Sequence, residues 1–294
     1  MKLVHFMKGN TLSIGLKIEE GIVNLSEAAA RLNLPFPETL DSLIRAEKEG
    51  ANQTAILLAA IQSENLQNYL LVNETEIEFA PVVREPEKIV CVGLNYLLHI
   101  EEANMTIQES PVLFSKFNNA LTGHEQAIPL PDVAFQFDYE AELVIIMGKE
   151  ARNVSEIDAL SFVYGYSIGN DITARDLQFT NSQWLLGKTL DSFAPIGPYL
   201  VTCDELETTN LSIECRVNGK LKQSSHTAKM IFGCAALISY ISRYMTLKPG
   251  DVIFTGTPEG VIMGCSPDQQ QWLKTGDEVE VTIEGIGTLK NRLI

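Results

Sequence analysis

Asp138-Tyr139-Glu140-Ala141-Glu142-Leu143 carries two carboxylates at i and i+2, and in a strand that spacing puts Glu140 and Glu142 on one face. The same face continues as Val144 and Ile146, so it runs from a polar mouth into an apolar core. Carboxylates crowded where a strand turns apolar need a compensating cation, and Mg²⁺ or Mn²⁺ suits an all-oxygen ligand set. Asp171, in Asn170-Asp171-Ile172-Thr173-Ala174-Arg175-Asp176, is the candidate third ligand. An exposed strand end with Asp171 capping a turn is the commoner meaning of such text, and patterning alone leaves both readings open.

His99 and Glu102 stand at i and i+3 after Gly93-Leu94-Asn95-Tyr96. In a helix they would be neighbours, and a carboxylate so placed orients an imidazole and raises its basicity, a pair able to activate water. On spacing alone a solvated helical face with an idle His99 is the plainer reading. Lys116 and Lys188 are set among apolar or small residues, and either could bind an anionic substrate or simply snorkel to the surface. In Thr255-Gly256-Thr257-Pro258-Glu259-Gly260 the glycines let backbone amides converge on an anion, although such loops often just turn. Gly165-Tyr166-Ser167-Ile168-Gly169 matches the elbow of a serine nucleophile, with His226 later in the chain. That elbow needs a helix directly after it, whereas a turn-like pair and a β-branched alternation follow, so a serine hydrolase is disfavoured. No phosphate-binding loop, zinc-protease or dinucleotide fingerprint is present.

The elements that must position these groups are legible in outline. The 294 residues allow one large domain or a large one plus a small one, with an ordinary globular composition. A formal net charge of −16 opposes phosphate backbones and anionic lipid, so neither nucleic acid nor membrane partners are expected. The N-terminal text lacks an apolar signal stretch, and five widely spaced cysteines without a C-x-x-C pair read as reduced and mostly buried. A cytoplasmic protein is expected. Residues 3 to 24 alternate as one or two hairpins, Ser26 caps a first helix, and apolar residues at helical spacing continue to Leu71. This small α/β unit, residues 1–80, precedes a second domain, 81–294, that opens with the buried strand Ile89-Val90-Cys91-Val92-Gly93. Asn218-Gly219 and Gly285-Ile286-Gly287 mark hairpins, and one long helix carries Met230 through Ile241. The fold class expected is α+β, predominantly β.

Together, from about residue 86 onward, these segments resemble the fumarylacetoacetate hydrolase family, in particular its bacterial acylpyruvase and oxaloacetate decarboxylase-like branch. The matching text is Gly93-Leu94-Asn95-Tyr96 with His99 and Glu102, Asp138 to Glu142, Asn170 to Gln178, Gly187-Lys188, Pro195 to Pro198, and Thr255 to Val261. The resemblance implies a rolled mixed β-sandwich that works as a homodimer, with residues 1 to 80 as a small N-terminal domain. It implies metal ligation by Glu140, Glu142 and Asp171, and a water-activating dyad of His99 and Glu102 on a lid that becomes helical when substrate binds. Lys188 would join the catalytic set, Arg175 and Gln178 would shape the substrate pocket, and Lys116 and Thr257 count among the substrate contacts. The activity implied is Mg²⁺- or Mn²⁺-dependent cleavage of a C–C bond in a small 2-oxo acid, by acylpyruvate hydrolysis or oxaloacetate decarboxylation, through an enolate stabilised by the metal. An isomerase or hydratase of 2-oxo-ene dioates and a metal-stapled interaction scaffold are the alternatives. Leu94 stands where some relatives have Arg or Lys, and Phe117-Asn118-Asn119 also departs from the family pattern. Both differences bear on the far end of a substrate.

Overall fold

The computed structural model describes residues 1–294. Strand Ala141–Met147 is the organising element, because every one of its seven residues is buried. Its side chains alternate between two cores. Leu143, Ile145 and Met147 face a cluster shared with Ile213, Cys215, Val279, Val281 and Leu289, while Val144 and Ile146 face another shared with Phe254, Leu3, Ile14 and Leu40. Each fully buried side chain of this kind contributes roughly 1.5–3 kcal/mol, so the strand is pinned from both sides.

A twelve-stranded mixed sheet carries this strand between Val163–Asn170 and Val252–Phe254, both antiparallel to it. Beyond Val252–Phe254 lie Ile89–Gly93, parallel, and the edge strand Val112–Lys116. On the other side the sheet passes through Ala194–Thr202 to Lys2–Lys8, Thr11–Ile18, Gly21–Asn24 and Leu71–Val72. A five-stranded sheet, which includes Ser212–Val217, Lys220–His226, Glu278–Ile283 and Gly287–Leu293, packs across the first core to complete a predominantly β sandwich of the α+β class. No helix is long and apolar enough to cross a membrane.

Both predicted hairpin turns form. Asn218 and Gly219 take positive φ angles of 51° and 74°, as a tight two-residue turn between right-twisted strands requires. The N-terminal hairpins form too, but their sheet runs on into the rest of the molecule, since Leu3 pairs with Leu200. Sheet and core therefore both cross residue 81. The first helix, Leu25–Leu32, is capped by Asn24 rather than Ser26, because the Asn24 side chain accepts the Glu27 amide while the Ser26 hydroxyl accepts the Ile14 amide across the hairpin. The long helix is confined to Cys234–Tyr244. Met230 and Ile231 keep their helical spacing in the sequence but spend their backbone elsewhere: Met230 bridges to Tyr96, and the Ile231 amide donates to the Asn95 carbonyl. Of the five cysteines, Cys91, Cys215 and Cys234 are buried, and Cys203 and Cys265 are exposed.

Candidate metal and active site

Pairing between strands brings the carboxylates together. Ala141 faces Asn170 and Asp138 faces Thr173, and in the gap between these registers the Asp171 amide donates to the Glu140 carbonyl while the Glu140 amide donates to Asn170 Oδ1. Glu140, Glu142 and Asp171 are all buried, and each can present an oxygen within 4.8 Å of the others.

Three cations answer these charges. Lys188 Nζ bridges Glu140 Oε2 at 2.6 Å and Asp171 Oδ2 at 2.8 Å. Burial works against the Lys188 ammonium, yet Asp171 and Glu140 outweigh it and hold its pKa above the usual lysine range. Arg175 spans Asp138 and Glu140 with Nη2, at 2.9 and 2.7 Å, and donates from Nη1 to Gln178. Asp138, fully buried, also accepts the amides of Tyr139, Ile262 and Met263. Lys116 was expected to meet substrate. Its ammonium instead lies behind Asp171, 2.6 Å from Oδ1, and donates to the carbonyls of Ile172 and Phe193, which turns it away from the cavity.

Glu142 is treated differently from its neighbours. It is 1 % exposed, no lysine or arginine pairs with it, and one backbone amide, that of Gly256, reaches it at 2.7 Å. Burial, then Asp171 and Glu140, push its pKa well above the carboxylate range. Four buried carboxyl groups, counting Asp138, therefore face three cations, and Glu142 is the one left without a cationic partner. The donor set is all oxygen and Glu142 is a buried carboxyl without a cation of its own, so the residues fit a hard divalent cation held by Glu140, Glu142 and Asp171.

The segment Leu97–Glu102 is helical, and its i, i+3 geometry sets His99 Nδ1 2.9 Å from Glu102 Oε1. His99 is 5 % exposed and lines a cavity with Glu140, Glu142, Arg175, Gln178, Lys188 and Thr257. Closed in this way, the cavity measures about 20 Å³, room for an ion or a water. The glycine loop does collect anions, but they are the protein's own. Gly256 gives its amide to Glu142, and Gly260 gives its amide to Glu102 Oε2 at 2.9 Å. Both glycines have φ near +100°, a backbone that a side chain would strain.

The structure thus lines one cavity with His99, Lys188, Arg175, Gln178, Thr257, Glu140 and Glu142, sets Glu102 behind His99 and Asp171 behind Lys188, and leaves Lys116 outside. Thr257 is held by the Gln223 amide group at 2.8 Å. Leu94 lines the cavity in a left-handed conformation, φ 57°, whereas Phe117 points to solvent. Ser167 lies inside the strand Val163–Asn170, fully buried, with its hydroxyl on the Tyr199 carbonyl, so it is no nucleophile elbow. Sequence reasoning missed the positioning work of Gln223 and Asn95. Gln223 ties strand Ala141–Met147 to Thr257 and Pro258, and Asn95, just before the helix Leu97–Glu102, ties it to Phe232 and Thr255. Only the alternation of Lys220–His226, which turns Gln223 inward, hinted at the first.

Residues 88–294 match the family described as fumarylacetoacetate hydrolase, C-terminal. A fumarylacetoacetate hydrolase domain-containing protein 2 homolog of Dictyostelium discoideum is 41% identical, over 97% of this chain and 99% of its own length. A protein of Rattus norvegicus named as a mitochondrial oxaloacetate tautomerase is 36% identical, over 100% of this chain and 92% of its own. The solved fumarylacetoacetate hydrolase of the psychrophile Exiguobacterium antarcticum superposes with a TM-score of 0.84 at 34% identity, covering 100% of this chain and 99% of that one.

Proposed function

The chain belongs to the fumarylacetoacetate hydrolase family, and from that premise we propose that it catalyses divalent-metal-dependent proton transfer on small 2-oxo acids, with the keto–enol interconversion of oxaloacetate as its first reaction. The observation that carries this reading is the placement of His99, with Glu102 behind it, over the cluster of Glu140, Glu142 and Asp171. A Mg²⁺ or Mn²⁺ ion held by those carboxylates would polarise the substrate's keto group and offset the negative charge that develops when C3 loses a proton.

The protein's own groups do the rest. Glu102 accepts the Nδ1 proton of His99, which leaves Nε2 as the basic nitrogen. Lys188, already between Glu140 and Asp171, supplies fixed positive charge beside the reacting oxygen. Arg175 spends its donors on Asp138, Glu140 and Gln178, so it holds Glu140 and Gln178 in place rather than gripping substrate. A four-carbon acid does not fit the closed cavity, so the helix Leu97–Glu102 must swing out to admit it.

The rat relative's name supports tautomerisation, for which one base acting on C3 suffices. C–C cleavage is the second reading, and the retained dyad favours it: the same base can deprotonate a water that attacks the distal carbonyl of an acylpyruvate, so that the C3–C4 bond breaks and pyruvate leaves as its enolate, the species that oxaloacetate also yields on losing carbon dioxide. Metal-stripped protein assayed with oxaloacetate and acetylpyruvate, before and after Mg²⁺ or Mn²⁺, separates the two. Faster enol decay without pyruvate supports tautomerisation, and pyruvate release supports cleavage. No turnover of either acid with metal bound would sink both. His99→Ala is expected to keep metal affinity and lose about 10²–10⁴-fold in rate.

A further inference from the structure

Glu102 Oε1 meets His99, and Oε2 meets the Gly260 amide. The rest of the carboxylate lies on Gly264. A Cβ built there would stand 2.4 Å from Glu102 Cδ and 2.7 Å from Oε2, below any real contact distance. Gly260 is glycine for its own backbone, with φ +99° and the Lys222 carbonyl 2.4 Å from a would-be Cβ. Gly264 has no such reason. It ends the single turn Ile262–Gly264, its φ is outside the left-handed range, and the nearest atoms to a Cβ all belong to Glu102.

That turn is also anchored to the carboxylate cluster. Asp138 accepts the amides of Ile262 and Met263 and binds Arg175, and Arg175 binds Glu140. The floor under Glu102 is thereby referenced to Glu140, and through it to the place where the reaction occurs. We infer that Gly264 is a positioning residue for the dyad: its missing side chain is the seat that lets Glu102 reach His99 and Gly260 together when the lid helix is closed. The inference rests on the proposed role of His99 as base. A methyl group at Gly264 would push aside the flexible end of Glu102, which is cheap for stability and costly for the orientation of His99.

The test is a double-mutant cycle on the metal-loaded protein with the substrate it turns over, using Gly264→Ala, Glu102→Gln and the pair. Gly264→Ala is expected to lower kcat by about tenfold or more, with KM, metal affinity and thermal midpoint nearly unchanged. The double variant is expected to be no slower than Glu102→Gln, because Gly264 acts only through Glu102. A wild-type rate in Gly264→Ala, or losses that multiply in the pair, overturns the inference. A fully active His99→Ala overturns the base role and the inference with it, whereas an inactive His99→Ala beside a fully active Gly264→Ala overturns the inference alone. Should Gly264→Ala fail to fold, hydrogen exchange at the Gly260 amide decides: protection in the wild type that is lost in Glu102→Ala supports the seat, and equal rates overturn it.

Discussion

Asp41 and Glu142 are both carboxylates sunk in the protein, and they are held in opposite ways. Asp41, in the helix Leu40–Arg45, accepts the amides of Arg84 and Glu85 and so fastens the N-terminal helices to the segment that leads into Ile89–Gly93. Neutral backbone donors fully serve it. Glu142 has one amide, and burial together with its carboxylate neighbours Asp171 and Glu140 raises its pKa. A buried carboxylate satisfied by amides holds a structure together, whereas a carboxyl group left against like charges resists ionisation until a cation is bound.

The contrast is tested most severely at the cluster. Asp171→Asn keeps shape but removes the charge shared by Lys116 and Lys188, and turnover is expected to fall by about a thousandfold or more, with metal binding lost in calorimetry. Asp41→Ala should do the reverse, costing about 2–3 kcal/mol in chemical denaturation while leaving the rate and the metal affinity of the folded protein intact. Glu142→Gln sharpens the comparison further. In metal-free protein near neutral pH it should raise stability by about 1–2 kcal/mol, since it removes the cost of keeping protonated a buried carboxyl that ionises in the unfolded chain, and the gain should vanish when the wild type is given Mg²⁺. If Glu142→Gln destabilised the metal-free protein as Asp41→Ala does, the two sites would not differ in kind.

The smallest effect lies beside Asp41. His5 is fully buried, its Nδ1 donates to the Pro81 carbonyl, and Nε2 has no partner. Burial pushes its pKa below 6.5, with Asp41 opposing and Arg84 assisting. Below pH 6.5 the unfolded chain takes up a proton that the folded protein resists, so stability should fall as pH drops, by up to roughly 1.4 kcal/mol per unit until the folded pKa is reached. His5→Phe should flatten that acid limb in thermal scans taken across pH 5–7.

Local text carried much of this. The i, i+2 carboxylates, the i, i+3 dyad and the Asn-Gly turn depend on a few adjacent residues and on fixed helix and strand periods, so they could be read before any fold was known. Misreadings arose where a side chain had two local choices. Ser26 and Asn24 can both cap a helix, and only the neighbouring hairpin, whose Ile14 amide takes Ser26, settles which one does. Lys116 reads as a surface or substrate lysine until the fold sets Asp171 and two carbonyls around it.

The sequence by itself determined which groups could do chemistry and the family to which they belong. Tertiary structure alone decided which carboxylates are compensated and which is not, because the partners lie far off along the chain: 114 residues from Glu142 to the Gly256 amide and 158 from Glu102 to that of Gly260. A backbone amide is the same in every residue but proline, so no residue type announces that it will serve a distant carboxylate. The seat at Gly264 was hidden for the same reason, since a missing side chain acquires meaning only from what the fold lays against it.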